Sequence, residues 1–277
     1  MNTRIIQTFN KCKREKRCAL VAYITGGDPD PDSSFTVADA VINGGADILE
    51  LGIPFSDPIA DGEANQLAAE RALSSGATPL TVIELASKIR QSYPDLPIVI
   101  FTYLNPIAYS AKFTFEGFCK KVYLSGVDAL LCLDLPPEED KINKVKSYSE
   151  VIKKNKLGIV SLVAPTTPLE RIPILANFAT SFVYYVSREG VTGESKEFNA
   201  NFASKISHIK KFTSLPVVVG FGISSSDHVK KAARTGVDGV VVGSAIVRKV
   251  ERFFHGYDTL DSIKNFVSEL KRGVYLG

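Results

Sequence analysis

Short apolar, β-branched runs alternate with longer amphipathic stretches along this chain, and the alternation recurs eight times. The runs fall at 19–25, 47–53, 98–103, 129–134, 158–164, 182–187, 217–221 and 240–242. Their nearly unbroken hydrophobicity predicts strands covered on both faces, as in a parallel sheet. Between them, residues 81–93, 115–124, 138–156, 169–179, 202–212 and 227–234 carry helical patterns. Eight strands interleaved with helices suit a closed barrel better than an open doubly wound sheet. The expected fold class is therefore α/β, a single (β/α)8 TIM barrel. Residues 2–13 add an extra N-terminal helix and residues 257–273 a terminal one.

A recurring phrase supports that symmetry. Gly45-Ala-Asp-Ile-Leu-Glu, Gly126-Val-Asp-Ala-Leu-Leu and Gly236-Val-Asp-Gly-Val-Val each follow a helix and open a strand. A glycine just past a helix end adopts the left-handed cap at no steric cost, and the chain turns into the sheet. No linker or shift in composition interrupts the 277 residues, so residues 1–277 are expected to form one domain.

Composition excludes several functions. With 45% hydrophobic and 23% charged residues, the chain can bury a large core and is not of the disordered class. Its net charge of +3 is thinly spread, and the densest basic run, Lys11–Arg17, lacks the interleaved aromatics of a single-strand nucleic-acid site. The opening residues hold no apolar signal core, and no later stretch is long and apolar enough to span a bilayer, so a cytoplasmic protein is expected. Cys12, Cys18, Cys119 and Cys132 show no zinc-ligand spacing, and Cys132 reads as a small buried hydrophobe. His208, His228 and His255 lie away from strand ends and suggest neither a triad nor a metal site.

In such a barrel the chemistry lies at the carboxyl ends of the strands. The second unit, Glu50-Leu-Gly-Ile-Pro-Phe-Ser-Asp-Pro-Ile-Ala-Asp61-Gly, is the richest. Side chains alternate along a strand, so Glu50 shares a face with Ile48, while Leu49 and Leu51 meet the helices. That puts a carboxyl group inside the barrel mouth. Burial there raises its pKa and suits it to proton transfer, although a structural glutamate in a buried network is the plain alternative. Asp61 precedes a glycine, which is also an ordinary turn signature. Gly220-Phe-Gly222-Ile-Ser-Ser and Gly243-Ser244 end strands seven and eight, where glycine loops and a helix amino terminus hold phosphate in many barrels. Gly190-Val-Thr-Gly193 reads either as a lid or as a plain glycine turn.

Taken together, the segment 47–62, Tyr23-Ile-Thr-Gly-Gly-Asp-Pro29, Asp134-Leu-Pro-Pro137, Val163-Ala-Pro-Thr-Thr-Pro168, Tyr184-Tyr-Val-Ser187, Gly190–Gly193, Gly220–Ser224 and Gly243–Val247 closely resemble the tryptophan synthase α-chain family. These motifs span about residues 20–250 in family order. The resemblance implies a lyase that cleaves indole-3-glycerol phosphate to indole and glyceraldehyde 3-phosphate. It makes Glu50 and Asp61 catalytic and assigns Gly193, Gly222, Gly243 and Ser244 to the phosphate. Tyr23, Tyr103, Leu131 and Tyr184 would line the indole pocket, and Thr192 would be the lid threonine. It implies no cofactor on this chain and a pyridoxal-phosphate β chain as partner in an α2β2 heterotetramer, contacted at Pro54, Asp57 and Asn105.

The segment Glu63-Ala-Asn-Gln66 departs from the family's usual Pro-Thr-Ile-Gln. Asn65 stands in place of an apolar pocket residue. Glu63 puts a second carboxylate beside Asp61, which is expected to raise the aspartate's pKa. That departure also motivates an alternative, a weakly active chain serving mainly as allosteric activator of the β subunit. A different phosphate-binding barrel would share the loops of strands seven and eight but not the segment from Glu50 to Asp61.

Overall fold

The computed structural model describes residues 3–135, 137, 147–186, 196–220 and 222–275. Eight parallel strands close into a barrel in sequence order. They are β1 (Ala19–Thr25), β2 (Ile48–Gly52), β3 (Ile98–Thr102), β4 (Ala129–Cys132), β5 (Gly158–Val163), β6 (Phe182–Val186), β7 (Val217–Gly220) and β8 (Gly239–Val242). The β1–β8 pairing, Ala19 against Gly239 through Ala22 against Val242, closes the ring. All eight expected strands are present, several ending a residue or two early where the chain leaves the ladder.

The helices that position the site are α1 (Thr3–Arg14), α2 (Ser34–Asn43), α3 (Glu63–Ser74), α4 (Pro79–Ser92), α5 (Asn105–Ala108), α6 (Phe115–Leu124), α7 (Tyr148–Lys154), α8 (Ile172–Phe178), α9 (Lys196–Lys210), α10 (Ser226–Ala233), α11 (Ser244–Phe254) and α12 (Leu260–Arg272). Helices α2 and α3 were not singled out by the sequence pattern. α2 has little polar contrast, because Ser34, Val37, Ala38, Ala40 and Val41 are all buried. Of the helix expected over 138–156, only the α7 portion falls within the described residues.

Strand alternation divides the core in two. One set of side chains, including Leu20, Ala22, Leu49, Leu51, Ile98 and Ile100, packs outward against the helices. The other set, Ala19, Val21, Ile48, Val99, Ala129, Leu131, Val160, Phe182, Val218 and Val241, fills the barrel. α1 stops the barrel's amino end: Ile5, Phe9 and Cys12 join the interior set, and the Phe9 and Phe182 rings lie 5.9 Å apart edge to face. With that end plugged, a ligand has one way in, through the carboxyl ends.

The three repeated glycines behave as their phrase suggested. Gly45, Gly126 and Gly236 have φ of 109°, 86° and 82°, a region that side chains with a Cβ rarely enter. Among the described residues no helix is long and apolar enough to cross a membrane, and no cluster of His, Cys, Asp and Glu is arranged to hold a metal. Cys132 differs from expectation. It is half-buried rather than enclosed, because β4 ends there, and its thiol donates to Asp134 Oδ1 at 3.5 Å.

Candidate active site

A cavity of about 350 Å³ opens at the carboxyl ends of the strands, a volume within the usual range for small-molecule sites. β2 puts Glu50 into it. The register pairs Tyr23, Glu50 and Val99 across three strands, and the same parity sends Ile48 into the barrel interior and Leu49 and Leu51 outward. Only 1% of Glu50 is exposed, and its Oε1 takes no hydrogen bond from any described residue. Burial without a partner disfavours the charged form, and the carboxyl pKa rises to about 8. At neutral pH this group is a protonated acid.

Asp61 enters the same cavity from the loop after β2, just ahead of α3. Tyr103 donates its hydroxyl to Asp61 Oδ2 at 2.7 Å, and Asn65 Nδ2 donates to Oδ1 at 3.3 Å. Burial raises the Asp61 pKa, and these two hydrogen bonds oppose that rise. The amino terminus of α3 adds a favourable dipole for negative charge. Glu63 has no part in the shift, contrary to expectation. It opens α3 as an exposed first-turn residue, where water screens it from Asp61. Glu50 and Asp61 thus share one cavity with opposite support: among the described residues the Oε1 of one finds no donor, and the other is held by two.

The cavity walls revise the list of lining residues. Tyr23 and Tyr184 line it, together with Phe101, Leu133, Leu162, Val186 and Ile223. Glycines make room for both tyrosines, since a Cβ at Gly52 would strike the Tyr23 hydroxyl and one at Gly220 the Tyr184 hydroxyl. Tyr103 is not part of the lining; it stands behind Asp61, accepting the Ala60 N–H at 3.0 Å and bracing the carboxylate. Leu131 is a correction. It is wholly buried in the barrel interior, and Leu133, one residue past the end of β4, lines the cavity instead. The two-residue repeat places both side chains inward, and only depth along the strand separates them.

Gly222, Gly243, Ser244 and Arg248, just past the ends of β7 and β8, also line the cavity. Gly222 has φ of 65°. Gly243 caps α11 without a side chain to occupy its amino end; Ile246 N–H turns back to Gly243 O at 2.8 Å, which leaves the Ser244 and Ala245 N–H groups as those suited to an anion. Gly193 and Thr192 lie outside the described residues. The sequence reading missed Arg248. It is the only cation among the described lining residues, is exposed, and sits one helical turn beyond Ser244. Its spacing of four from Ser244 on a helix that opens at an anion site was the available signal.

A larger cleft of about 710 Å³ lies elsewhere, lined by Lys153, Lys156, Thr180, Phe212 and Thr213 near the starts of β5, β6 and β7. The amino face of a barrel serves stability, not catalysis, and this cleft has no acidic lining residue.

Fold and cavity together define a (β/α)8-barrel enzyme of the acid–base kind, with Glu50, Asp61 and a helix amino terminus lining one cavity. Comparison with known proteins makes the class specific. The family model described as tryptophan synthase alpha chain matches residues 9–274. The chain is 42% identical over 271 residues to the tryptophan synthase alpha chain of Solibacter usitatus, covering 98% of both proteins. It is 46% identical over 245 residues to that of Opitutus terrae, covering 88% of each. The solved tryptophan synthase subunit alpha from Legionella pneumophila superposes with a TM-score of 0.86 at 32% identity, covering 99% of this chain and 98% of that one. This chain belongs to the tryptophan synthase alpha chain family, a family of lyases.

Proposed function

We propose that the cavity performs a retro-aldol cleavage of indole-3-glycerol phosphate, releasing indole and glyceraldehyde 3-phosphate. The observation that carries this reading is Glu50, a buried and unpartnered carboxyl group with its pKa near 8, lining the same cavity as a hydrogen-bonded Asp61. Glu50 gives its proton to the ring carbon that bears the glycerol chain. Positive charge develops on the ring nitrogen, and Asp61 accepts the N–H hydrogen bond. Glu50, now a carboxylate, takes the proton of the adjacent side-chain hydroxyl. The C–O becomes a carbonyl, the C–C bond breaks, and its electrons neutralise the ring. Glu50 ends protonated as it began. Each proton-transfer role is worth about 10²–10⁴-fold.

Gly222, Gly243 and Ser244, with Gly193 from the loop after β6, hold the phosphate, and Arg248 adds the missing positive charge there. Anchoring the phosphate converts binding energy into orientation of the reacting end. Tyr23 and Tyr184 flank the ring, with Tyr103 supporting it indirectly through Asp61. By the family resemblance Thr192 acts at the same site.

The product indole goes to a β chain carrying pyridoxal phosphate, in an α2β2 assembly in the cytoplasm, and this chain itself carries no cofactor. Supporting the docking face are the exposed Asp57 and Asn105 and two apolar side chains beside them in sequence, Ile59 at 83% and Tyr109 at 73% exposure. Pro54 is buried and supports that loop from below. The one-domain reading of residues 1–277 belongs to the same proposal.

The alternative of a weakly active activator rests on residues 63–65. There α3 starts normally and Asn65 donates to Asp61, which favours an active lyase. A spectroscopic assay of indole release from indole-3-glycerol phosphate, with and without the β chain, tests the choice. Release in both cases, faster with the β chain, is expected. Stimulated serine–indole condensation without any cleavage would overturn the lyase reading.

A further inference from the structure

Helix α3, which follows directly on Asp61, is held to the barrel by little apolar surface. Its four buried residues, Ala64, Ala68, Ala69 and Ala72, are all alanines. The next helix, α4, buries Val82, Ile83, Leu85, Ala86 and Ile89. Burial stabilises in proportion to apolar area, so packing alone holds α3 weakly. Arg71 supplies a second fastening. Its Nε and Nη2 donate in parallel to Asp28 Oδ1 and Oδ2 at 2.9 and 3.1 Å, and its Nη1 donates to Glu251 Oε1 at 3.3 Å. Asp28, in the loop after β1, is 2% exposed, and Ser75 Oγ donates to the neighbouring Pro29 O at 3.0 Å. Arg71 thus joins the loop after β1, α3 and α11. Ala64, Ala68 and Arg71 share one face of α3, as Ser244, Val247 and Glu251 share one face of α11. Between these faces Ala64, Ala68 and Val247 cluster with Tyr23. The first turn of α3 is in turn bonded to Asp61, through Asn65 Nδ2 to Oδ1 at 3.3 Å and Gln66 Nε2 to the backbone O at 2.9 Å. A slip of α3 along α11 would therefore move Asp61 relative to the Ser244 and Ala245 N–H groups.

We propose that Arg71 is a positioning residue that fixes the separation between Asp61 and the amino end of α11, so that a single molecule meets one with its ring and the other with its phosphate. This rests on the proposed function in placing the ring at Asp61 and the phosphate at α11. A ligand that touches only one end does not sense the separation. A ligand that touches both does, because its second contact is intramolecular and is lost when the spans no longer match. Arg71 acts through Asp28, Glu251 and the body of α3, and is not among the residues that line the cavity.

The test uses Arg71→Met combined with Asp28→Asn, which removes the clamp without stranding a buried charge. Glu251→Ala, which breaks only the α11 arm, carries the test if the double variant does not fold. NMR titration gives the affinity for three probes: indole, inorganic phosphate, and indole joined through its C3 to phosphate by a plain three-carbon chain with no hydroxyl to react. Indole alone and phosphate alone are expected to bind within about twofold of wild type, and the joined probe about tenfold more weakly in the double variant and about threefold in Glu251→Ala. In the ligand-free double variant, amides of α3 should exchange hydrogen about tenfold faster, with those of α4 unchanged. A joined probe bound as tightly as by wild type, or a loss shared equally by all three probes, overturns the inference. Unchanged exchange in α3 does so too. Wild-type protein that binds none of the probes would sink the functional reading instead, and the exchange rates would still decide whether Arg71 holds α3.

Discussion

Asp128 and Glu50, each about 1% exposed, lie at opposite ends of the barrel in opposite surroundings. At the amino end, the aspartates of the three repeated phrases are all paired. Asp47 takes two hydrogen bonds from Arg17 at 2.8 and 3.0 Å, a third from Leu20 N–H at 2.8 Å, and an ion pair from Lys271. Asp128 is bonded to Arg4, Arg90 and Ile98 N–H at 3.0, 2.9 and 2.8 Å. Asp238 holds Lys210 and Val217 N–H, each at 2.8 Å. Each of these aspartates precedes one strand and accepts an N–H from the strand before it, tying β1 to β2, β3 to β4 and β7 to β8. At the carboxyl end, Glu50 is as buried as Asp128, and its Oε1 has no donor among the described residues. The paired aspartates fasten neighbouring strands together; a buried carboxyl group without a donor keeps a proton it can give away.

That contrast is open to attack. Glu50→Gln is expected to cut turnover by at least 10²-fold, read as indole release, while the variant folds normally. Undiminished turnover would remove Glu50 from the reaction. Asp128→Ala should do the reverse. Stranding Arg90 beside a buried site is expected to lower unfolding free energy by about 3 kcal/mol in urea titrations, with kcat per folded molecule unchanged. Large loss of kcat in the folded variant would break the division between the two ends.

The protonation of Glu50 gives a prediction with a definite sign. Its native pKa, about 8, lies above the ordinary value of 4.5, so the native state binds the proton more tightly than the unfolded chain does. Its stabilising contribution is therefore full below pH 4.5 and is lost as pH rises through about 8. Relative to wild type, Glu50→Gln should gain on the order of a few kcal/mol of stability between pH 5 and 9, and kcat/KM of the wild type should fall on the basic side near pH 8. A stability difference that does not change with pH would show that Glu50 is not a buried acid. The smallest effect belongs to the partnered carboxylate. Tyr103→Phe removes one neutral donor from Asp61 and should lower kcat/KM about five- to tenfold.

How much of this was legible in the sequence follows from the range of each signal. The inward direction of Glu50 needed only the alternation of one strand, so its four neighbours on β2 sufficed. Leu131 against Leu133 could not be separated that way, because both share a face and only the depth of the barrel mouth decides which one meets a ligand. Glu63 was judged by its distance in sequence from Asp61; the onset of α3 carried it into solvent and Asn65 to the carboxylate instead. The repeated aspartates were visible as a phrase, but their cations come from residues as distant as Lys271.

By itself the sequence determined the periodic quantities: eight strands, their inward and outward faces, the left-handed glycines, and the motifs that carry the family. Those are consequences of local geometry, repeated every two residues or at every helix end. Only the closed barrel decided which carboxyl groups would find donors. A pKa depends on what surrounds a group in space, and for Glu50 that surrounding is supplied by strands and loops drawn from the whole length of the chain.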